Sequence, residues 1–552
     1  MAGALPWHGS LSVLIYESSE TVVDEYLRDL KVVFNRAMYK VSFHAIVPGS
    51  TGARADRADI LETDYFDVVI SDVSMGKSGG ANDDGIQALG KIKARDPSLF
   101  CIAYTGKGLR YNDYANRIDF DLFIDKTKLL IPSYIKDVAH ALREKVKVNV
   151  HAYVRATSFK AIPELNTSEL IQLNRIVRKI TYTEPSPDES LQISKVQLRR
   201  LPGGYSGAIA LYMRASTARN LSCTQAVLKI ARSSDSEATA AIVREARNYA
   251  QLVKWFLPYN WRPEMLGELY GGALSAICYA FVSSQGETLA SLGETLRKSR
   301  NLDIAVDAIE QIFHPQHQHW YQSRNITKED GLHRFYHDKC IGNDDTRQHT
   351  RMFLQAVREF DISHQEYIRF PDGTQCPSPM GALFARPSGS YLSCLVHGDM
   401  NSNNIVVSPG GSDGMTLIDF SSTGRGHVFF DFIVFEVSVR LDSIRESAIG
   451  LAEQIRAEQF LNDAKPSNLS YERFVIRLRQ YARKNFPEEN FANYLFGLAA
   501  FSFSMIPFSG LTDWQRRTLA ACVCSSLVDL QNLGYWADQR SNIASQQRTH
   551  DD

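Results

Sequence analysis

The stretch that most constrains this chain is Leu395-Val396-His397-Gly398-Asp399-Met400-Asn401-Ser402-Asn403-Asn404-Ile405-Val406-Val407, followed closely by Met415-Thr416-Leu417-Ile418-Asp419. Two short apolar runs flank a polar loop, and a third delivers an acid at its end. An acid, an amide a few residues on, and a second acid beyond the next strand suit transfer of a phosphoryl group from a nucleotide. That reaction needs a carboxylate beside the attacking hydroxyl and oxygen ligands that hold magnesium against the phosphates. Asp399 is the candidate for the first role, Asn404 and Asp419 for the second. Strands joined by such a loop place all three at one mouth. The alternative is two strands with polar turn residues and no chemistry.

These residues also carry a resemblance. His397-Gly398-Asp399, Asn404 and Ile418-Asp419-Phe420 resemble the motifs of the aminoglycoside phosphotransferase and choline kinase-like branch of the protein-kinase fold. The resemblance implies a bilobal α+β domain, ATP and Mg2+ as cofactors, Asp399 as catalytic base, and Asn404 and Asp419 as metal ligands. It also implies that Asp431, in Gly426-His427-Val428-Phe429-Phe430-Asp431, braces the loop that contains His397.

Upstream, Lys229 interrupts the apolar run Ala226-Val227-Leu228-Lys229-Ile230. A buried ammonium needs a partner. Glu245, on the helix-like stretch Ser236 to Leu252, supplies one, with Glu237 as the alternative. The pair resembles the family's strand-three Lys and helix Glu, which hold the nucleotide's alpha and beta phosphates. The turn Pro202-Gly203-Gly204-Tyr205-Ser206-Gly207 lies between two strand-like runs. Backbone amides approach phosphates where no side chain intervenes, so Gly203, Gly204, Ser206 and Gly207 join Lys229 as candidate nucleotide-binding residues. Ile277 to Val282, with Ser283 to Leu289 after it, is similar to the family's adenine-binding hinge.

Toward the N-terminus, the strand-like runs Ser12–Tyr16, Phe66–Ser71, Phe100–Tyr104 and Leu122–Asp125 alternate with helical patterns. Alternation of this kind predicts an α/β, doubly wound parallel sheet with ligands at the carboxyl ends of its strands. Glu17, Asp72, Thr105 and Lys126 gather there. The set resembles the receiver domain of two-component response regulators, which implies Asp72 as a possible phosphoacceptor and a sensor kinase or partner protein. Two departures stand out: Glu17-Ser18 replaces an adjacent acid pair, and Thr127 replaces a proline. Losing a carboxylate weakens a divalent site.

The expected organisation is a receiver-like domain at 1–150, a helical linker at 151–190, a small lobe and hinge at 191–290, a large lobe at 291–540 and a polar tail at 541–552. In the linker, Ser168 to Ile180 has the spacing of an amphipathic helix and Thr181 to Ser190 reads as a hinge. His314, His317 and His319 read as an exposed helix end rather than a metal site. His333 and His337 share a face of a possible helix, and Phe370 to Ser390 reads as a long surface loop. From Phe432 to Leu533 the pattern is helical.

Net charge is −1 and the eight cysteines are scattered without a Cys-x-x-Cys pair. No global field draws the chain to nucleic acid or a membrane, and a reducing, cytoplasmic setting is expected. The leading expectation is an ATP- and Mg2+-dependent phosphotransferase with a hydroxyl-bearing small-molecule or atypical acceptor and a regulatory receiver-like domain, possible as a homodimer. The alternatives are a non-catalytic pseudokinase and receiver scaffold, or a Ser/Thr protein kinase.

Overall fold

The computed structural model describes residues 11–535 apart from 18–19, 38, 48–65, 74–83, 97–98, 107–119, 150–151, 155–161, 163–164, 183–191, 202–206, 282–289, 300, 315–318, 328–330, 343–345, 363–365, 384–389, 408–414, 444–448 and 466. The chain divides into two compact units, residues 1–246 with 264–281, and residues 247–263 with 282–552.

The first unit contains two sheets. One is built from β1 (Leu11–Tyr16), β2 (Val41–Ile46), β3 (Val68–Asp72), β4 (Phe100–Thr105) and β5 (Leu122–Asp125). Its strands are all parallel, in the order β2-β1-β3-β4-β5. Successive side chains on a strand face opposite sides. Leu11, Val13, Ile15, Val68 and Ile70 therefore share a core with α1 (Glu20–Arg36) and α3 (Pro132–Lys145). Leu14, Val69, Cys101 and Ala103 face the other way and pack with Ile86 and Leu89 of α2 (Asp84–Arg95). Helices thus cover both faces, as a parallel sheet requires. The edge strand β2 is an addition to the predicted set. Its Val41, Phe43 and Ala45 are only half-buried and alternate with exposed Ser42 and His44, a weak signal in a short segment.

The second sheet comprises β6 (Tyr153–Val154), β7 (Ile193–Arg200), β8 (Ile209–Thr217), β9 (Ser222–Arg232), β10 (Met265–Leu269) and β11 (Leu274–Ala280), in the order β10-β11-β9-β8-β7-β6. Only the short β6 pairs parallel; the others form an antiparallel sheet. α4 (Thr167–Ile180) starts at a capping box in which Asn166 and Glu169 bond each other's backbone amides. Its Leu173, Ile176 and Val177 pack with Leu198, Leu211, Met213, Leu228 and Ile230 of the sheet. The predicted amphipathic helix forms, yet its polar side is buried as well. Arg178, fully inaccessible, pairs with Asp67 at 2.9 Å and donates to the Asn149 carbonyl at 3.0 Å. Arg175 donates to the Phe66 carbonyl at 2.9 Å and pairs with Asp96.

The second unit holds β12 (Ala290–Ser291), β13 (Asn325–Thr327), β14 (Tyr367–Arg369), β15 (Gln375–Pro377), β16 (Tyr391–Val396), β17 (Ile405–Val407), β18 (Met415–Leu417) and β19 (Gly424–His427). They form the small sheets β12-β17-β18, β13-β16-β19 and β14-β15. Its longer helices are α6 (Leu292–Ser299), α7 (Asp303–Phe313), α8 (Thr346–Ala356), α9 (Phe430–Ser443), α10 (Leu451–Asn462), α11 (Glu472–Asn485), α12 (Phe491–Met505) and α13 (Asp513–Asn532). α9 and α12 are apolar on most sides, so both are central. The predicted surface loop from Phe370 is instead partly structured. Cys376 on β15 and Leu383 on a short helix from Pro379 are fully buried, because their apolar side chains fill gaps beside the helical core. The His333 and His337 pair is also split. His333 is buried and stacks on Phe496 with ring centroids 4.4 Å apart, whereas His337 is half-buried beside Asp338. Among the described residues, no helix is long and apolar enough to cross a membrane.

Candidate active site

β16 ends at Val396 and feeds the loop that carries Asp399. Gly398 turns there with φ +78°, and a Cβ on it would sit 2.2 Å from the Ser422 carbonyl oxygen, so only glycine fits. The Asp399 carboxylate is gripped on both oxygens. Asn401 donates its side-chain amide to Oδ1 at 2.8 Å, and Asn404 donates to Oδ2 and to the Asp399 carbonyl, both at 2.9 Å. Asn401 is absent from the predicted set; its amide type two residues after the acid was the available signal.

Asn404 and Asp419 meet at one end of a hairpin. Ile405 pairs with Leu417 across β17 and β18, and the Ile418 amide donates to the Asn404 carbonyl at 3.0 Å. Asn404 thus enters β17 where Asp419 leaves β18. Asp419 has φ +66°, an unusual left-handed conformation for a non-glycine residue. Such strain persists where surrounding structure over-determines it, which occurs often at functional sites. Ser421 donates to its Oδ1 at 3.0 Å. With its amide nitrogen committed to Asp399, Asn404 keeps an amide oxygen that meets no donor among the described residues. An amide oxygen and a carboxylate are hard donors of the kind Mg2+ prefers, with phosphate and water completing its shell. Among the described residues no group of three or more His, Cys, Asp or Glu could hold a metal ion.

Asp431 sits in the first turn of α9, completely buried. Its Oδ2 accepts from the His397 amide at 2.7 Å and its Oδ1 from the Gly398 amide at 2.9 Å, while the Tyr321 hydroxyl donates to Oδ2 at 3.1 Å. Burial raises its pKa above the usual carboxylate value, against the opposing pull of His397 and the two amides. His397 approaches the Ile418 carbonyl through Nε2 at 3.1 Å, which ties the loop to the strand that delivers Asp419.

In the first unit, Lys229 lies on β9 between Leu228 and Ile230, which face α4. Alternation turns its side chain to the opposite face. There Nζ meets both carboxylate oxygens of Glu245 on α5 (Ser236–Asn248), at 3.0 and 3.1 Å. The Tyr279 hydroxyl of β11 donates to the same carboxylate at 3.1 Å. Of the two acids weighed, Glu245 is the partner. Gly207, with φ +71°, borders the start of β8; Gly203, Gly204, Ser206 and the hinge at 283–289 lie outside the described residues.

At the carboxyl ends of the parallel strands, Lys126 Nζ lies 3.1 Å from Asp72 Oδ2 and 3.6 Å from Glu17 Oε2. It also lies 3.8 Å from the Tyr26 ring centroid. Thr105 is buried at the end of β4. Ser18 lies outside the described residues.

Residues 340–485 match a family described as ternary complex associated domain 9. No curated protein sequence matches the chain. Among solved structures, the chain is similar to the amicoumacin kinase hAmiN in complex with AMP-PNP, Ca2+ and Ami, at 12% identity, covering 68% of this chain and 96% of that one, with a TM-score of 0.32. It is similar to an aminoglycoside-3'-phosphotransferase of type VIII at 12% identity, 56% and 94% coverage and a TM-score of 0.31. A choline kinase from Cryptosporidium parvum Iowa II gives 10%, 64%, 92% and 0.28 in the same order. Likenesses this distant fix no activity for this chain.

Proposed function

We propose that the protein is an ATP- and Mg2+-dependent phosphotransferase that phosphorylates a hydroxyl of a small-molecule or atypical substrate. The observation that carries this reading is the Asp399 carboxylate, oriented by two side-chain amides, one of which belongs to a candidate metal ligand. In this reading Asp399 orients the acceptor hydroxyl and takes up its proton as the acceptor O–P bond forms and the bond from the γ-phosphorus to the bridging oxygen breaks, ADP leaving. Asn404 and Asp419 would hold the metal, which when bound would supply charge to offset that of the phosphoryl group. Lys229, aimed by Glu245, binds the nucleotide phosphates. Asp431 fixes the loop. The structural similarity to small-molecule kinases agrees with this class of acceptor without arguing for it.

The N-terminal α/β domain is proposed as a receiver-like regulatory module that meets a sensor kinase or partner protein. The departure at Glu17-Ser18, which leaves one acid where a divalent site wants a pair, favours a docking rather than a phosphate-accepting role. Lys126 lies against both Asp72 and Glu17, and its single positive charge offsets one of the two acids.

The test is calorimetric titration of the full chain with ATP, with and without Mg2+, beside Asp419→Ala. Magnesium-dependent binding that the substitution abolishes is the expected result. Folded wild-type protein that binds no nucleotide overturns the enzyme reading and leaves the pseudokinase scaffold.

A further inference from the structure

Ser402 lies between Asp399 and Asn404 and is completely inaccessible. Both of its polar groups are taken by α9. Its amide donates to Ser438 Oγ at 2.9 Å, and its hydroxyl donates to the Asp442 carboxylate. Asp431, Ser438 and Asp442 are spaced i, i+7 and i+11, which at about 3.6 residues per turn puts them on one narrow stripe of the helix. One stripe therefore grips the loop at its start, through His397 and Gly398, and near its end, through Ser402.

The Asp442 end has a second clamp. Arg297 of α6 pairs with Asp442 and donates to Asn403 Oδ1 at 3.1 Å. α6 comes so close that a Cβ on Gly293 would lie 2.5 Å from Asp442 Oδ2, 2.7 Å from Asn403 Oδ1 and 2.8 Å from Ser402 Oγ. Glycine here lets the α6 backbone close over the cluster. The cluster spans the loop positions between the candidate base and the candidate metal ligand.

We propose that Ser438 and Asp442 are positioning residues. They fix Ser402 and thereby the register of the loop, so that Asn404 presents its oxygen to the metal while its amide holds Asp399. The metal part of the proposal rests on the phosphotransferase reading; the loop part does not.

Two measurements on the full chain separate them. The first is hydrogen exchange over residues 398–404 in wild type, Ser438→Ala, Asp442→Ala and Asp442→Asn. Exchange of this segment is expected to quicken at least tenfold in both alanine variants while α9 stays protected, and Asp442→Asn, which keeps an acceptor for Ser402, is expected to restore most of the protection. Unchanged exchange overturns the proposal, and Ser402→Ala repeats the test from the loop side if an α9 variant does not fold. The second is affinity for the Mn2+ complex of AMP-PNP beside affinity for AMP-PNP alone. A tenfold loss confined to the metal complex is expected in the variants with loosened loops. Equal metal-dependent binding in those variants reduces Ser438 and Asp442 to purely structural residues and overturns the positioning role. Wild type that binds no nucleotide counts against the phosphotransferase reading, and with it the metal part, while hydrogen exchange still decides the loop part.

Discussion

Two buried carboxylates on α9 are shifted in opposite directions, and their partners explain why. Asp431 is surrounded by neutral N–H and O–H donors, with His397 nearby, and burial wins: its pKa is raised. Glu436 also loses solvation on burial, but Arg479 and Arg440 hold its pKa down to about 2. Arg479 Nε reaches Glu436 Oε2 at 2.9 Å, Arg440 Nη2 reaches Oε1 at 2.6 Å, and the Tyr494 hydroxyl adds a third donor at 2.6 Å. Full guanidinium charges outweigh desolvation where backbone dipoles do not. A depressed folded pKa contributes stability above the unfolded value, near 4.3, and that contribution is lost as pH falls toward about 2. The shift corresponds to on the order of 3 kcal/mol. Urea unfolding of wild type is expected to lose stability steeply between those limits, and Glu436→Gln, already weaker at neutral pH, should show a flatter acid limb. Parallel acid limbs in the two proteins would remove Glu436 from the account.

The elements legible in the sequence were those whose pattern is set by one local requirement. Lys229 stood out because an ammonium inside an apolar strand needs a partner, and Glu245 supplies it at 3.0 Å. The Asp399 to Asp419 stretch stood out because strand, acid and amide recur at close spacing. Less legible were contacts decided by distant segments. Asn401, Ser438, Asp442 and Tyr279 look like ordinary polar residues until the fold brings a partner to each. α4 is the clearest case: its period marks one apolar face, but nothing local says that Arg175 and Arg178 are buried too. Their partners, Asp96 and Asp67, come from the parallel-sheet portion of the chain. Arg178→Ala removes the guanidinium that lies 2.9 Å from the buried Asp67 carboxylate and keeps the Ser12 amide as a donor to it. Removing one member of a buried pair costs about 3–5 kcal/mol. A fall in Tm of roughly 10 °C is therefore expected for the unit, given about 2–4 °C per kcal/mol at this size. Asp67→Asn in the Arg178→Ala background should recover part of it. A Tm within a degree of wild type for Arg178→Ala would show that the pair stabilises nothing.

At the scale of the whole molecule, the first compact unit crosses the boundary that the sequence suggests between an N-terminal domain and a separate small lobe. α4 has one side in the core of the antiparallel sheet, through Leu173, Ile176 and Val177. Gln172 adds bonds to the Gly271 carbonyl at 2.5 Å and the Leu274 carbonyl at 3.0 Å, and Glu169 pairs with Arg232 at 3.0 Å. Its other side is satisfied by Phe66, Asp67 and Asp96. Asn149 adds a joint of the same kind, donating to the Thr181 and Ile193 carbonyls at 2.9 and 3.0 Å. A chain that begins at residue 151 would keep α4 but strip these partners from Arg175 and Arg178, exposing two cations and the apolar surface around them. Deleting residues 1–150 is therefore expected to lower the Tm of what remains and to promote aggregation, whether or not the proposed regulatory role holds. Calorimetry of the two chains side by side checks this. A fragment that melts at the full-length temperature would show that the joint is dispensable, and truncation would then report on the proposed regulation alone. If the fragment melts early, the proposed regulation has to be probed by point substitutions at Asp72 and Lys126, which leave the α4 joint intact.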